Sequence, residues 1–209
     1  MATLRDYRVT DLKRCIELVN QAWDFDGNLE HPDVAAMAKD FYVNGSLAES
    51  RHYRVVEEDG VVLGLLFGAA GRGERFSNEY RGVIGQLRVL MRMMRVRGWS
   101  FREKLRWLGV MRSHEVARAK VMRRTNSEIT LLAVDEAARG KGLGRQLMDE
   151  YVGLCRSLGR ERVTVETDVY SNFGFYEHYG FVKVGDFNSS MNELFTGGSG
   201  EAFVYVLDL

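Results

Sequence analysis

Residues 129–151 read ITLLAVDEAARGKGLGRQLMDEY. With Glu128 in front, the stretch opens as an apolar run of strand length. It then turns through Arg139-Gly-Lys-Gly-Leu-Gly144 and continues with Leu143, Leu147, Tyr151, Leu154 and Leu158 on one face of a helix. A strand that enters a helix through glycines presents unpaired helix N-terminal amides and a partial positive charge at one point. Glycines let those amides approach a phosphate closely, and Arg139, Lys141 and Arg145 add charge. A ligand bearing a pyrophosphate is the partner such a turn predicts.

Two nucleotide motifs fail on inspection. A P-loop needs Gly-Lys followed by Ser or Thr, which is absent. A dinucleotide fingerprint needs a third glycine where Arg145 stands, and its strand should open a βαβ pair near the start of the fold. Coenzyme A, with its pyrophosphate and extended pantetheine arm, remains.

A second stretch, SNFGFYEHYGF at 171–181, follows about 30 residues later, after the strand RVTVET. It reads as a short helix stopped by Gly180. Together the two stretches resemble the GCN5-related N-acetyltransferase (GNAT) superfamily. Arg139, Gly142 and Gly144 match that family's R/Q-x-x-G-x-G/A turn, with Leu132-Ala133-Val134 upstream. Asn172, Tyr176, Gly180 and Phe181 match its second signature. The resemblance spans roughly 127–187, and the first 70 residues follow it by element order only.

The resemblance implies an α/β fold: a single mixed, mostly antiparallel central sheet flanked by helices, with acetyl-CoA as cosubstrate and no metal. The backbones of Leu132, Ala133 and Val134 would pair with pantetheine. The turn Arg139, Gly140, Lys141, Gly142, Leu143, Gly144 and Arg145 would hold the pyrophosphate. Asn172 would cap its helix or bond the pantetheine arm. Tyr176 would be the acid for the departing sulfur, although full transfer from a phenol near about 10 to a thiol near about 8.5 is uphill by ~2 kcal/mol. A hydrogen bond to the developing thiolate therefore matters more than complete transfer.

An amine acceptor must also lose a proton, because alkylammonium groups titrate near about 10.4. Glu128 opens the core strand, and strict alternation puts it on the face of Val134. In the histone-acetylating branch of the superfamily a strand Glu at this spacing is the base. Glu166 and Asp168, on the next strand, are rivals.

The rest of the chain is consistent with one α/β domain over 1–209. A strand near Thr3–Arg8 precedes a helix with Leu12, Cys15, Ile16, Val19 and Trp23 at helical spacing, and a second helix runs from Val34 to about Asn44. HYRVVEE and VVLGLLFGAA flank Asp59-Gly60, a hairpin signal. Phe181–Phe187 and Ala202–Leu207 read as strands separated by a polar loop containing TGGSG.

Between the third strand, VVLGLLFGAA, and the fourth, EITLLAV, lies a segment the family usually replaces with a short turn. Arg72–Arg124 holds 15 basic and 4 acidic residues, whereas the whole chain of 209 residues balances 29 against 29. Apolar residues at 83, 84, 87, 90, 91 and 94 predict one helix, and Phe101, Leu105, Leu108 and Met111 the buried stripe of a second, making a basic helical insertion at about 72–126. Its arginines face solvent, line a lid that selects an anionic acceptor or polyanion, or serve a membrane-surface or partner contact through the Met/Arg helix. Aromatics are not interleaved among them, which disfavours nucleic acid.

Cys15 and Cys155 fall on apolar helical positions and read as buried thiols. His114-Glu115 lacks the HExxH spacing, so no metal site is predicted. The start, MATLRDYRVTDLKR, carries no apolar leader and no run approaches a membrane span, which predicts a cytoplasmic protein. The resulting expectation is transfer of acetyl from acetyl-CoA to a primary amine in a ternary complex. The competing reading is a CoA- or nucleic-acid-binding regulator on the same fold. A homodimer is compatible with either.

Overall fold

The computed structural model describes residues 2–71, 91, 94, 100–122 and 125–209. Most of the expected first insertion helix lies outside them; Met91 and Met94 are helical. Described elements are numbered here in chain order: β1 Thr3–Asp6, α1 Leu12–Trp23, α2 Phe25–Asn28, α3 Pro32–Glu49, β2 His52–Glu58, β3 Val61–Gly68, α4 Phe101–Val121, β4 Glu128–Val134, α5 Leu143–Ser157, β5 Arg162–Asp168, α6 Gly174–Tyr179, β6 Val182–Asn188, α7 Ser190–Thr196 and β7 Glu201–Asp208.

The seven strands form one sheet in the order β1-β2-β3-β4-β5-β7-β6. Every neighbouring pair is antiparallel except β4 and β5. Helices cover both faces. On one, Cys15, Leu18 and Val19 of α1 and Val34, Met37 and Ala38 of α3 pack with Leu131, Ala133 and Trp107. On the other, Leu147, Met148 and Tyr151 of α5 pack with Ile129, Val163, Val165 and Tyr176. Both cysteines are buried and unpaired. Among the described residues no helix is long and apolar enough to cross a membrane.

The Asp59-Gly60 hairpin forms as expected, with positive φ at both residues (52° and 80°), the backbone a two-residue primed turn requires. Helix α3 begins at Pro32, well placed at a first turn, and runs five residues past the expected end. The polar stretch before β7 contains a helix the sequence reading left out: Ser189 caps α7 by accepting from Asn192 N–H, and Met191 and Phe195 are buried. A seven-residue helix leaves too few apolar positions for a periodic signal.

Helix α4 turns a different face inward from the one its apolar spacing predicts. Phe101, Leu105 and Leu108 are 69%, 51% and 44% exposed. The inward stripe is Trp107, Met111, His114 and Arg118, at steps of four, three and four. Trp107 meets Phe41 edge-on at 5.4 Å, and the two polar members find partners described below. Counting apolar residues misses a stripe whose two charged-type members, His114 and Arg118, are buried against polar partners.

Tyr151 anchors the centre of the sheet. Its hydroxyl accepts from Ala70 N–H (3.1 Å) and donates to Glu128 O (2.9 Å), joining the end of β3 to the start of β4. A Cβ on Gly68 would lie 2.3 Å from the Tyr151 ring. Gly68→Ala is therefore expected to destabilise the fold by ~1–3 kcal/mol, read as a lower denaturant midpoint at unchanged slope.

Candidate active site

The parallel ladder between β4 and β5 is two residues long, Glu128↔Thr164 and Ile129↔Val165. Beyond it the strands part. The cause lies on the other edge of β4: Gly68 pairs with Ile129 and Phe67 with Leu131, leaving Thr130 as an extra, bulged residue. A bulge bends and twists its strand. The bulge is held by Ser46, whose hydroxyl donates to Thr130 O (3.2 Å), and by Ser50 Oγ, 2.6 Å from Thr130 Oγ1.

The bulge also resets which face each β4 side chain occupies. Ile129 packs with Leu132 and Val134 on the α5 side, and Leu131 and Ala133 pack on the α1/α3 side. The alternation that placed Glu128 with Val134 does not survive it. Glu128 lies on the opposite face, toward α4.

A cleft of about 890 Å³ opens where the strands part. Leu132, Ala133 and Val134 line it, and from Leu131 onward the edge of β4 that faces β5 pairs with no strand. At its mouth lies the glycine turn. Asp135 accepts from Ala137 N–H and pairs with Arg14 of α1, whose Nε also donates to Val62 O, pinning the turn's entry.

Gly140 and Gly142 sit at φ 79° and 78°, and no atom lies within 4 Å of where a Cβ would project from either. Gly142 N-caps α5, and the first helical bond is Gln146 N–H to Gly142 O. The amides of Leu143, Gly144 and Arg145 are thus left without intrahelical partners. Gly140, Gly142, Leu143, Gly144, Arg139 and Arg145 line the cleft; Lys141 does not, and its own amide donates to Ala138 O (3.4 Å). The cleft, the free amides and the open space over two left-handed glycines fit a pyrophosphate.

Tyr176 of α6 is 8% exposed, lines the cleft and is wedged among the rings of Phe175, Phe181 and Tyr205. Burial, aided by the Asp168 charge, pushes its phenol well above the usual tyrosine range, so it is a protonated donor at neutral pH. Asn172 lines the cleft as well; the helix cap falls at Phe173 with no side-chain bond, so the capping role is not used and the amide is left to the cleft.

At the far end, toward α1, α3 and α4, a buried guanidinium joins two of the three candidate carboxylates. Arg118 donates from Nε to Glu166 Oε2 (2.6 Å) and from its terminal nitrogen to Glu128 Oε1. The side chains of Arg118, Glu128 and Glu166 are 7%, 11% and 20% exposed. His114 Nε2 is 3.6 Å from Glu166 Oε1, and His114 Nδ1 is 2.8 Å from Ser189 Oγ.

Burial pushes the Glu166 carboxyl up to about 7 although Arg118 opposes it, with the Glu128 and Glu115 charges adding to the rise. Burial also lowers His114, leaving it neutral. Asp168 is spoken for: it accepts from Trp23 Nε1 (3.1 Å) and from the Tyr170 and Ser171 amides (2.9 and 2.8 Å). The sequence reading weighed the three carboxylates but missed Arg118. No sequence signal distinguishes Arg118 from the other arginines of α4. Arg102, Arg106 and Arg112 of the same helix are exposed.

Residues 96–194 match the family model described as an acetyltransferase (GNAT) domain. The chain has the GNAT fold. The seven expected strands and the glycine turn occur in the expected chain order, and β4 and β5 part beyond a two-residue ladder. Solved structures align over its length. Ard1 from Thermoplasma volcanium gives 17% identity over 100% of this chain and 97% of its own, at a TM-score of 0.53. The Salmonella typhimurium protein yncA, solved with its cofactor acetyl-CoA, gives 15%, 100%, 94% and 0.51. The ribosomal-protein-S18-alanine N-acetyltransferase from Escherichia coli gives 12%, 100%, 94% and 0.51. No curated protein matches the sequence. Helix α4 lies between β3 and β4 and walls the far end of the cleft. Among the described residues no His, Cys, Asp or Glu cluster is placed to hold a metal ion.

Proposed function

We propose that the protein is an acetyl-CoA-dependent N-acetyltransferase that moves an acetyl group to a primary amine by direct attack in a ternary complex. The observation that carries the reading is the cleft itself. A gap between two parallel strands leads from free helix-terminal amides, past a buried protonated tyrosine, to a pair of carboxylates.

In this reading the amides of Leu143, Gly144 and Arg145 and the backbone around Gly140 and Gly142 hold the pyrophosphate, with Arg139 and Arg145 adding charge. The unpaired edge of β4 from Leu132 to Val134 accepts the pantetheine arm as a further strand would be accepted, and Asn172 bonds it from across the cleft. Bound acetyl-CoA supplies the thioester. Tyr176 donates a hydrogen bond to the sulfur as it gains charge, and a carboxylate at the far end relieves the amine of its proton.

The acceptor enters from the α1/α3/α4 side, between Trp23 and Tyr42 on one wall and Met111 on the other. Because Arg102, Arg106 and Arg112 point outward and Arg118 is already paired with two carboxylates, α4 offers little to an anionic acceptor. The expected result with acetyl-CoA and a panel of primary amines is amine-dependent release of free thiol, followed with a thiol-reactive dye. Tight acetyl-CoA binding with no thiol release from any amine would instead favour a non-catalytic CoA sensor.

A further inference from the structure

Two carboxylates share one guanidinium at the fork between β4 and β5, yet they are not equivalent. Glu128 stands at the root, still inside the ladder opposite Thr164. Glu166 is the first β5 residue past the last pair, Ile129↔Val165, where the strands have separated. Arg118 hydrogen-bonds Glu166 through Oε2, and Oε1 stands 3.6 Å from His114 Nε2, beyond hydrogen-bond reach. One carboxylate is locked in the base of the cleft and the other keeps an oxygen available to it.

We propose that Glu166 takes the proton of the acceptor amine, and that Arg118 and Glu128 are positioning residues through which the insertion helix and the root of the fork control it. The inference rests on the acetyltransferase reading above. The acceptor arrives as an ammonium. One proton passes to Glu166, the freed lone pair forms the C–N bond to the acetyl carbon, and the C–S bond breaks with its electron pair on sulfur. A second nitrogen proton ends on that sulfur, and the proton on Glu166 returns to solvent, one per thiol formed.

The charges around Glu166 agree with this role. Arg118, His114 and Glu115 face it from α4, Glu128 from β4 and the Tyr42 phenol from α3, with Asp168 two residues along its own strand. A carboxyl titrating near 7 stands roughly three powers of ten below an alkylammonium, against about six for an ordinary glutamate. His114 stays neutral and therefore does not compete as a cation.

The test is the pH dependence of kcat/KM for the protein and four variants, with an amine that supports turnover. The wild type is expected to show an acidic limb near pH 7. Glu166→Gln should lose that limb and about 100-fold or more in kcat. Glu128→Gln should move the limb to lower pH, because one carboxylate then has Arg118 to itself. Arg118→Met should move it higher, and Arg118→Lys, which keeps the charge and protects the fold, should hold it near the wild-type position.

Opposite shifts from two partners of one group are not produced by a merely structural role. Carbon NMR of glutamate carboxyls, which needs no turnover, should show a resonance titrating near 7 that vanishes in Glu166→Gln. Retention of the wild-type limb in Glu166→Gln, or no such resonance, would overturn the proposal. Absence of thiol release by the wild type would overturn the acetyltransferase reading instead, while the NMR titration would still report on the charge arrangement.

Discussion

Gly142→Val is expected to lower acetyl-CoA affinity by at least about 100-fold in calorimetry, which corresponds to ~2.7 kcal/mol. Two effects add. Gly142 holds φ 78°, a region that costs an L-residue ~1–2 kcal/mol and a β-branched one more. The space over its missing Cβ is open, and in the proposed complex that space belongs to phosphate.

Backbone strain alone would give a similar loss of stability anywhere, so the control is Gly60→Val in the β2–β3 turn. Gly60 has φ 80° and equally open surroundings but lies outside the cleft. Both variants should unfold at lower denaturant, and only Gly142→Val should lose the ligand. Equal affinity in the two would remove the glycine turn from the binding site.

Tyr176→Phe is expected to lower kcat by about 100- to 1,000-fold with little change in acetyl-CoA affinity. Removing one preorganised donor to a developing anion in a dry site costs ~2.7–4 kcal/mol in well-studied cases. The ring of Tyr176 is held by Phe175, Phe181 and Tyr205, contacts that phenylalanine keeps, so the fold should be unaffected. Since burial raises the phenol far above neutrality, its ionisation should contribute no basic limb to the wild-type profile below about pH 10. A Tyr176→Phe enzyme with full turnover would leave the thiolate to water and the backbone.

The two motifs carried most of the fold. A strand, a glycine turn and a helix at 128–157, then Asn172 to Phe181, read correctly from spacing because each signal is local: backbone that needs φ > 0 selects glycine, and a half-buried helix selects apolar residues every three or four positions. The glycine-turn end of the cleft was legible for the same reason, since it is built from consecutive backbone groups. Lys141 is the exception, because whether a neighbouring amide turns inward or bonds back to Ala138 depends on the turn's path and not on residue type.

The far end, where Arg118 meets Glu128 and Glu166, was not legible. Its arrangement depends on a one-residue bulge at Thr130 that moves Glu128 to the other face, and on which side of α4 packs inward. Both are long-range outcomes: the bulge is tied down by Ser46 and Ser50 about 80 residues away, and α4 is oriented by Glu128, Glu166 and Ser189. Local sequence alone was enough to place a strand–glycine–helix turn and an excess of positive charge in one segment. The packing of α4 is what turns Arg118 inward, while Arg102, Arg106 and Arg112 stay exposed, so that its charge is divided between two carboxylates. Burial made that pairing necessary, because a guanidinium removed from water is stable only against partners that other elements of the chain deliver.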